Sequence, residues 1–526
     1  MTPSKVRARI NGVGTPDRGP DLVEKQLLLA SPSTAATPLV HGSGGRGGRW
    51  KWALFVCLAA GSLVLWARSQ GSASLSWEQS FVKVAGTQFE YQCRPFFVAG
   101  FNVDNVAQAP LAAVSRKMQG SGSSSYNGRE LVRQLLREAA GAGLNVMRTW
   151  AHTTDPDHPL QERPGVYNED MFQGLDFVIA EAGKAGLKVI LSLVDNWKYH
   201  GGVDEFVDWS PSVPPRDPRF PPNNKQGDAS VEEYSQERLE YENRRKVLFF
   251  TDEACRNMFK RHIKAVLMRR NVYTGKLYKD DPTIMAHNLL NEHRCSSYET
   301  PGCPETVSRW VEEMAAHVKS LDQRHLLTLG EEGFWGEKDA LRAFNPGAPS
   351  SNWAAKAGQD FLADHASPYI DFATVHWWND QWKVGGNRSF YKGWLGQHTE
   401  QAGSVLKKPL LLEEFGKMLD TRVGIQPSAG LVRHVRDPVF QDAYDVVEQA
   451  VSRGQALAGS LFWRWGFQVY DNGLGPYGVA PEHSTFSLIA DHARRLKRHM
   501  NSQPPRPDCN MQCWVPTTMV FGLARR

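Results

Sequence analysis

Five short stretches of this 526-residue chain each end an apolar run in residues able to do chemistry: Arg148-Thr149-Trp150, Asn291-Glu292, His376-Trp377-Trp378, Glu413-Glu414-Phe415-Gly416 and Trp463-Arg464-Trp465. Two carboxylates in the company of arginine, histidine, asparagine and tryptophan point to cleavage of a glycosidic bond. Breaking an acetal needs a proton for the leaving oxygen and a negative group facing the oxocarbenium-like centre. One carboxyl must therefore be protonated and its partner ionised. Arg148 beside one of them would hold it ionised, while less charged surroundings would raise the proton affinity of the other. Tryptophan offers a flat apolar face to a sugar ring, and twelve of the 17 tryptophans lie between residues 80 and 500.

These residues can meet only if the chain brings its strand ends to one rim. Eight β-branched or aromatic runs qualify as strands: 96–102, 144–150, 187–194, 284–292, 325–331, 370–378, 409–415 and 458–465. Helical stretches separate most of them. In Glu130–Gly141 the apolar residues Leu131, Leu135 and Ala139 recur at i, i+4, and Asn168 caps a run carrying Phe172, Leu175, Phe177 and Ile179. Further helices are expected near 252–270, 305–321, 389–405, 436–452 and 484–498. Repeated βα units over this length predict an α/β fold, a (β/α)8 TIM barrel with long loops, whose reactive groups sit at the C-terminal ends of the strands. A doubly wound sheet is the alternative, but no GxGxxG motif or phosphate-binding loop follows any strand. The polar, proline-rich stretch Ser210–Arg245 is too long for an ordinary connection. It should overhang the barrel mouth, either as a lid or groove wall or as surface decoration.

The composition excludes several classes. With 41% hydrophobic and 22% charged residues the chain is neither disordered nor fibrous as a whole. The net charge of +5 is concentrated in residues 1–68, where nine Lys/Arg face three acidic residues. The remainder is close to neutral and offers no basic face for nucleic acid. Seven cysteines show no CxxC zinc spacing, so no structural metal site is expected, and acetal cleavage by two carboxyls calls for neither metal nor organic cofactor.

Residues 52–67 are uncharged, follow Arg46, Arg49 and Lys51, and are bracketed by tryptophans. This predicts a single N-terminal transmembrane signal-anchor or a signal h-region over 50–68, a disordered cytosolic tail over 1–49 and a linker over 69–79. The catalytic domain over 80–500 would then enter the secretory pathway, either membrane-anchored or secreted after cleavage, with a short tail over 501–526. The sequon Asn387-Arg388-Ser389 suits that compartment. Among the cysteines it would expose to oxidation, Cys295 with Cys303 and Cys509 with Cys513 are the simplest pairs.

With these residues in view, the chain resembles the plant-type endo-β-1,4-mannanases of glycoside hydrolase family 5, from about Phe81 to Met500. The likeness is carried in order by FVKVAGTQFEYQCRPFFVAGFN, GLNVMRTWA, YKDDPTIMAHNLLNEHRC, GEEGFWG, IDFATVHWWNDQW and KKPLLLEEFGK. It implies that Glu292 is the general acid/base, that Glu414 is the nucleophile and that Arg148 polarises it. It further implies that Asn291 holds a sugar 2-hydroxyl, His376 joins the carboxylate network and Trp463 floors the −1 subsite, with Trp150, Asn196 and Trp197 lining the cleft. Because side chains alternate along a strand, only one of Glu413 and Glu414 is expected to face the mouth. The motif register selects Glu414.

Two departures bear on activity. Trp378 stands where the family has a tyrosine that hydrogen-bonds the nucleophile, and an indole N–H can donate but cannot act as a phenol does. His293 replaces the proline after the acid/base, where a protonated ring would lower the Glu292 pKa. The resemblance implies a retaining enzyme with carboxyls about 5–5.5 Å apart, a β-mannan-type polysaccharide as substrate, no nucleic-acid partner and a monomer. The alternatives are a hydrolase or transglycosylase acting on another β-glycan, and a catalytically weak glycan-binding protein of the same fold.

Overall fold

The computed structural model describes residues 77–505, apart from 105, 112, 118–122, 154–155, 223–234, 379, 383, 385–386, 420–426 and 467–474. The expected tail, anchor and linker up to residue 76, and the proposed Cys509–Cys513 pair, lie outside the described residues. Among the described residues no helix is long and apolar enough to cross a membrane.

All eight expected strands form. They are β1 (Val98–Asn102), β2 (Val146–Trp150), β3 (Lys188–Ser192), β4 (Ile284–Asn288), β5 (Leu326–Thr328), β6 (Ala373–Trp378), β7 (Leu410–Gly416) and β8 (Leu457–Phe462). Every described residue of these strands is buried, as parallel strands covered on both faces must be. Neighbours pair in parallel in the order β5-β4-β3-β2-β1-β8-β7-β6. The seam between β5 and β6 is bridged by Asp371 N donating to Leu327 O (2.8 Å) and His376 N donating to Glu332 O (3.2 Å). The ring is thereby closed into the barrel that the βα alternation predicts.

The helices follow from caps and apolar faces. Asn127 accepts from Arg129 N at the start of α1 (Gly128–Gly141), and Asn168 caps α2 (Glu169–Lys184) by accepting from Met171 N. Asp252 caps α5 (Glu253–Leu267). Then come α6 (Cys303–Leu321), α7 (Phe361–His365), α8 (Arg388–Gln401), α9 (Asp437–Ser452) and α10 (Ser484–Ser502). A three-stranded antiparallel sheet, Lys83–Ala85, Gln88–Tyr91 and Arg94–Phe96, lies at the N-terminal end of the barrel. Its Phe89 is fully buried, edge-on to Phe372 with ring centroids 5.2 Å apart.

The described residues of the inserted stretch include a helix that its composition does not suggest. After the short α3 (Val203–Asp208), residues 236–251 form α4 (Gln236–Thr251), capped by Ser235. Its polar sequence conceals a helix laced by the i, i+4 pairs Arg238–Glu242 and Arg244–Glu240. Arg245 and Arg216 both pair with Asp208, which binds the insertion to α3. The disulfide expected between Cys295 and Cys303 is present. It ties the segment after β4 to the start of α6, while Cys255 is a buried free thiol.

Candidate active site

Because the strands are parallel, Trp150, Trp378 and Gly416 end their strands at one rim. Trp463 follows β8 directly, its N–H donating to Phe415 O across 2.7 Å. Glu292 reaches the same rim on an extension of β4. Leu289 and Leu290 donate to Thr328 O and Leu329 O, Asn291 N to Val194 O and Glu292 N to Gly330 O. Glu292 closes this extension with φ of +49°, a left-handed backbone that non-glycine residues adopt at some cost.

Arg148 organises the interior. Its guanidinium is fully buried and donates to Asn102 Oδ1 (3.0 Å), Asn288 Oδ1 (2.8 Å) and Asn291 Oδ1 (2.8 Å). It also pairs with Glu414 Oε1 through Nη1. Asn291 passes the chain of contacts on, donating to Asp195 Oδ1 at 3.0 Å. Both glutamates of β7 turn toward this layer, against the expectation from simple alternation. The pairing with β6 runs Val375 to Leu412 and then His376 to Glu414, so Glu413 is an extra residue without a partner on β6. A β-bulge of this kind re-aims side chains, and here Glu413 Oε2 lies 3.4 Å from Arg148 Nε.

Glu292 is held by three N–H donors. Trp197 Nε1 donates to Oε2, while His376 Nδ1 (2.6 Å) and Trp378 Nε1 (3.1 Å) both point at Oε1. One carboxylate oxygen of Glu292, one of Glu414 and a ring nitrogen of His376 all lie within 4.8 Å of one another. Such closeness sits beside the ~5–5.5 Å spacing of retaining glycosidases and far from the ~6.5–9.5 Å of inverting ones.

The electrostatics reverse the expectation drawn from Arg148 alone. Burial raises the Glu414 carboxyl to about 7, with Glu292 and Glu413 adding to the rise and His376 and Arg148 opposing it. For Glu292, burial also pushes upward, but the hydrogen bond and charge of His376, the charge of Arg294 and the Trp197 N–H outweigh it and hold the carboxyl at about 2. His376 is lowered by burial yet brought up to about 10 by Glu414, Glu292 and Glu413. In the resting site, therefore, the proton shared by His376 and Glu292 resides on the imidazole.

The aromatic residues form a continuous wall. Trp150 stacks on His152 (5.5 Å between centroids, 13°) and lies 5.9 Å from the half-buried Trp463. The Trp378 ring stands edge-on to Trp463 at 6.2 Å and to Tyr477 at 5.3 Å. Trp377, between two inward residues, points outward and stacks on Tyr391 (4.8 Å, 13°). Helix α4 reaches the cleft residues as well: Lys246 Nζ donates to Asn196 O at 2.9 Å and lies 5.4 Å from the Trp197 ring centroid.

A family model described as "GH family 5 beta-mannosidase-like" matches residues 79–470. The chain belongs to glycoside hydrolase family 5. It is 36% identical to mannan endo-1,4-beta-mannosidase 7 of Arabidopsis thaliana over 79% of this chain and 85% of that protein. It is 37% identical to mannan endo-1,4-beta-mannosidase 1 of Oryza sativa subsp. japonica over 81% and 90%. The barrel also aligns with a family 5 mannosidase from Rhizomucor miehei at 22% identity, with a TM-score of 0.61 over 81% of this chain and all of that one.

Within the family frame, both departures fall differently from their sequence reading. Trp378 donates to Glu292 rather than to Glu414. His293 faces away from Glu292, its Nε2 3.5 Å from Glu331 Oε2 and from Asp364 Oδ2. Burial and the charge of Asp364 push the Glu331 carboxyl well above its usual range. The structure adds Asn102, Asp195 and Asn288 to the site, and Arg294, whose Nη2 pairs with Glu332 Oε1 at 2.5 Å. Asn102 ends β1, as the sequence run 96–102 already marks it, whereas Asn288 falls inside the run 284–292 and is shown to end β4 only by the structure. Asp195 and Arg294 carry no local signal.

Proposed function

We propose that this protein is a retaining endo-β-1,4-mannanase that hydrolyses mannan, glucomannan or galactomannan by double displacement. The observation that carries this reading is the convergence of Glu292 and Glu414 on His376, within 4.8 Å, at the C-terminal rim of the barrel. Family membership and the names of its plant relatives support the substrate class.

In the first step Glu414 Oε2, the oxygen not taken by Arg148, attacks the anomeric carbon while the bond to the glycosidic oxygen breaks. The leaving oxygen receives its proton from Glu292. That proton reaches Glu292 from His376 Nδ1, 2.6 Å away, so the pair holds one proton even though Glu292 rests ionised. In the second step Glu292 takes a proton from water, the water oxygen bonds to the anomeric carbon and Glu414 leaves. Arg148 balances the charge on Glu414 throughout. Trp463 and Trp150 offer apolar faces to the sugar at the cleavage point, and Trp197 offers one on the far side.

The enzyme is further proposed to work as a monomer in the secretory pathway, anchored by residues 50–68 or released by cleavage after them. The Cys295–Cys303 disulfide favours an oxidising compartment. The exposed Asn387 caps α8 through Oδ1 and leaves its amide nitrogen for a glycan. Glycosidase-sensitive gel mobility and carbonate extraction of membranes test this part.

One observation favours a second reading, a mannan-binding protein with slow turnover: Trp378 Nε1 occupies Glu292 Oε1, the oxygen also bound by His376. Assays on mannan, glucomannan and cellulose with Glu414→Gln and Glu292→Gln separate the two. The hydrolase reading expects new reducing ends on mannans, β-configured product first, and a loss of about 10³-fold or more in kcat for Glu414→Gln. Binding without any turnover, unchanged by Glu414→Gln, supports the other.

A further inference from the structure

Glu413 is a fully buried carboxylate beside the proposed nucleophile, and burying a second negative charge against one arginine is costly unless the charge is used. Its surroundings are specific. Asn288 Nδ2 donates to Oε1 at 2.9 Å, and the same amide accepts from Arg148 Nε at 2.8 Å. Oε2 lies 3.4 Å from Arg148 Nε and 3.6 Å from His376 Nε2. The backbone carbonyl accepts from Asn102 Nδ2 at 2.9 Å. All of these side chains are essentially inaccessible to solvent.

We propose that Glu413 is a positioning residue of the catalytic layer: together with Asn288 it pins the Nε edge of Arg148 and the Nε2 edge of His376, and so aims Arg148 Nη1 at Glu414 and His376 Nδ1 at Glu292. The inference rests on the hydrolase reading above. Two rigid groups, a guanidinium and an imidazole, each have one edge facing a reacting carboxylate and the opposite edge facing Glu413. The bulge in β7 puts both glutamates of one strand on the same two partners. Without a carboxylate at the rear edges, nothing charged opposes rotation of either ring plane, and misplacement by about 1 Å is enough to cost about 10²-fold in rate.

The charge of Glu413 also sets the proton balance of the layer. The titratable and charged groups facing it are Arg148 from β2, His376 from β6, Glu414 beside it on β7 and, further off, His365 from α7. Glu413 raises the proton affinity of His376 and of Glu414. Removing its charge lowers both, so both limbs of the pH profile move to lower pH.

The test compares the full chain with Glu413→Gln, Glu413→Asp and the double variant Asn288→Asp/Glu413→Gln. The double variant exchanges amide and carboxylate across the same hydrogen bond and returns a negative charge to Arg148 Nε. Turnover of soluble galactomannan is followed from acid to alkaline pH, with melting temperature alongside. Glu413→Gln is expected to lose about 10²-fold in kcat with both limbs displaced toward acid, and the double variant to recover at least about tenfold. Wild-type kcat and an unmoved profile in Glu413→Gln overturn the proposal. So does a folded double variant that recovers nothing, which remains decisive if the single variant does not fold. A wild-type chain inactive on every mannan defeats the hydrolase reading instead.

Discussion

Trp378 donates its indole N–H to Glu292 Oε1 across 3.1 Å, on the oxygen that His376 also binds. The proposed proton donor is thereby held in its ionised form by indole and imidazole together. Hydrogen bonds to a charged group contribute about 1.5–3 kcal/mol each. Trp378→Phe removes one donor and retains a ring, so the proton affinity of Glu292 should rise. The proton then sits on Glu292 rather than His376 more often, and kcat at neutral pH is expected to rise by about tenfold. A kcat identical to wild type would show that the indole N–H has no hold on the proton donor.

Acid pH should inactivate the enzyme earlier than an ordinary carboxylate nucleophile would allow. Glu414, lifted by burial to about 7, must be ionised to attack, so kcat/KM should fall as pH drops through 7. The stability effect has the opposite direction. The folded-state pKa lies above the unfolded value near 4.5, so the native state binds the extra proton between pH 4.5 and 7. The contribution of this group to stability therefore declines as pH rises through that window. Melting temperature against pH should be flatter there for Glu414→Gln, and an unchanged slope would contradict the assignment.

Gly416 closes the nucleophile motif under a carbonyl. A Cβ added there would stand 2.4 Å from Trp463 O and 3.2 Å from the Tyr477 ring. The backbone of Trp463 must then shift, and with it the ring proposed to floor the cleavage subsite. Gly416→Ala is expected to lower stability by about 1–3 kcal/mol and to reduce kcat more than it changes KM. Denaturant unfolding together with steady-state kinetics checks both parts.

The Cys295–Cys303 bridge closes a loop with a sequence separation of 8 immediately after Glu292. Cys303→Ser should cost about 2–3 kcal/mol of unfolding free energy from loop entropy. Equal urea midpoints for the variant and the oxidised wild type would place the stability of this segment elsewhere.

Much of the architecture was legible because its signals are local. Each barrel strand is a short apolar run, and each principal helix has a cap or an apolar stripe such as Asn168 with Phe172, Leu175 and Ile179. These features report on the backbone within a few residues of themselves. Helix α4 is not legible in the sequence because its stabilising residues are charged pairs and its buried apolar anchors, Phe249 and Phe250, come only at its end. The rim residues were legible for the same local reason: a strand that ends in Asn-Glu or Glu-Phe-Gly presents those groups wherever the strand stops.

The amino-acid sequence by itself determined the barrel, the placing of Glu292 and Glu414 at its strand ends and the cysteine pair nearest them. Only the tertiary structure decided that Glu413 joins Glu414 on Arg148, that Trp378 serves Glu292, that His293 turns to Glu331, and that burial raises the proton affinity of Glu414 while His376 lowers that of Glu292. The physical reason is that a bulge belongs to the pairing of two strands, and the field at a buried carboxyl sums over groups delivered by β2, β4, β6 and β7 at once. No run of neighbouring residues records either quantity.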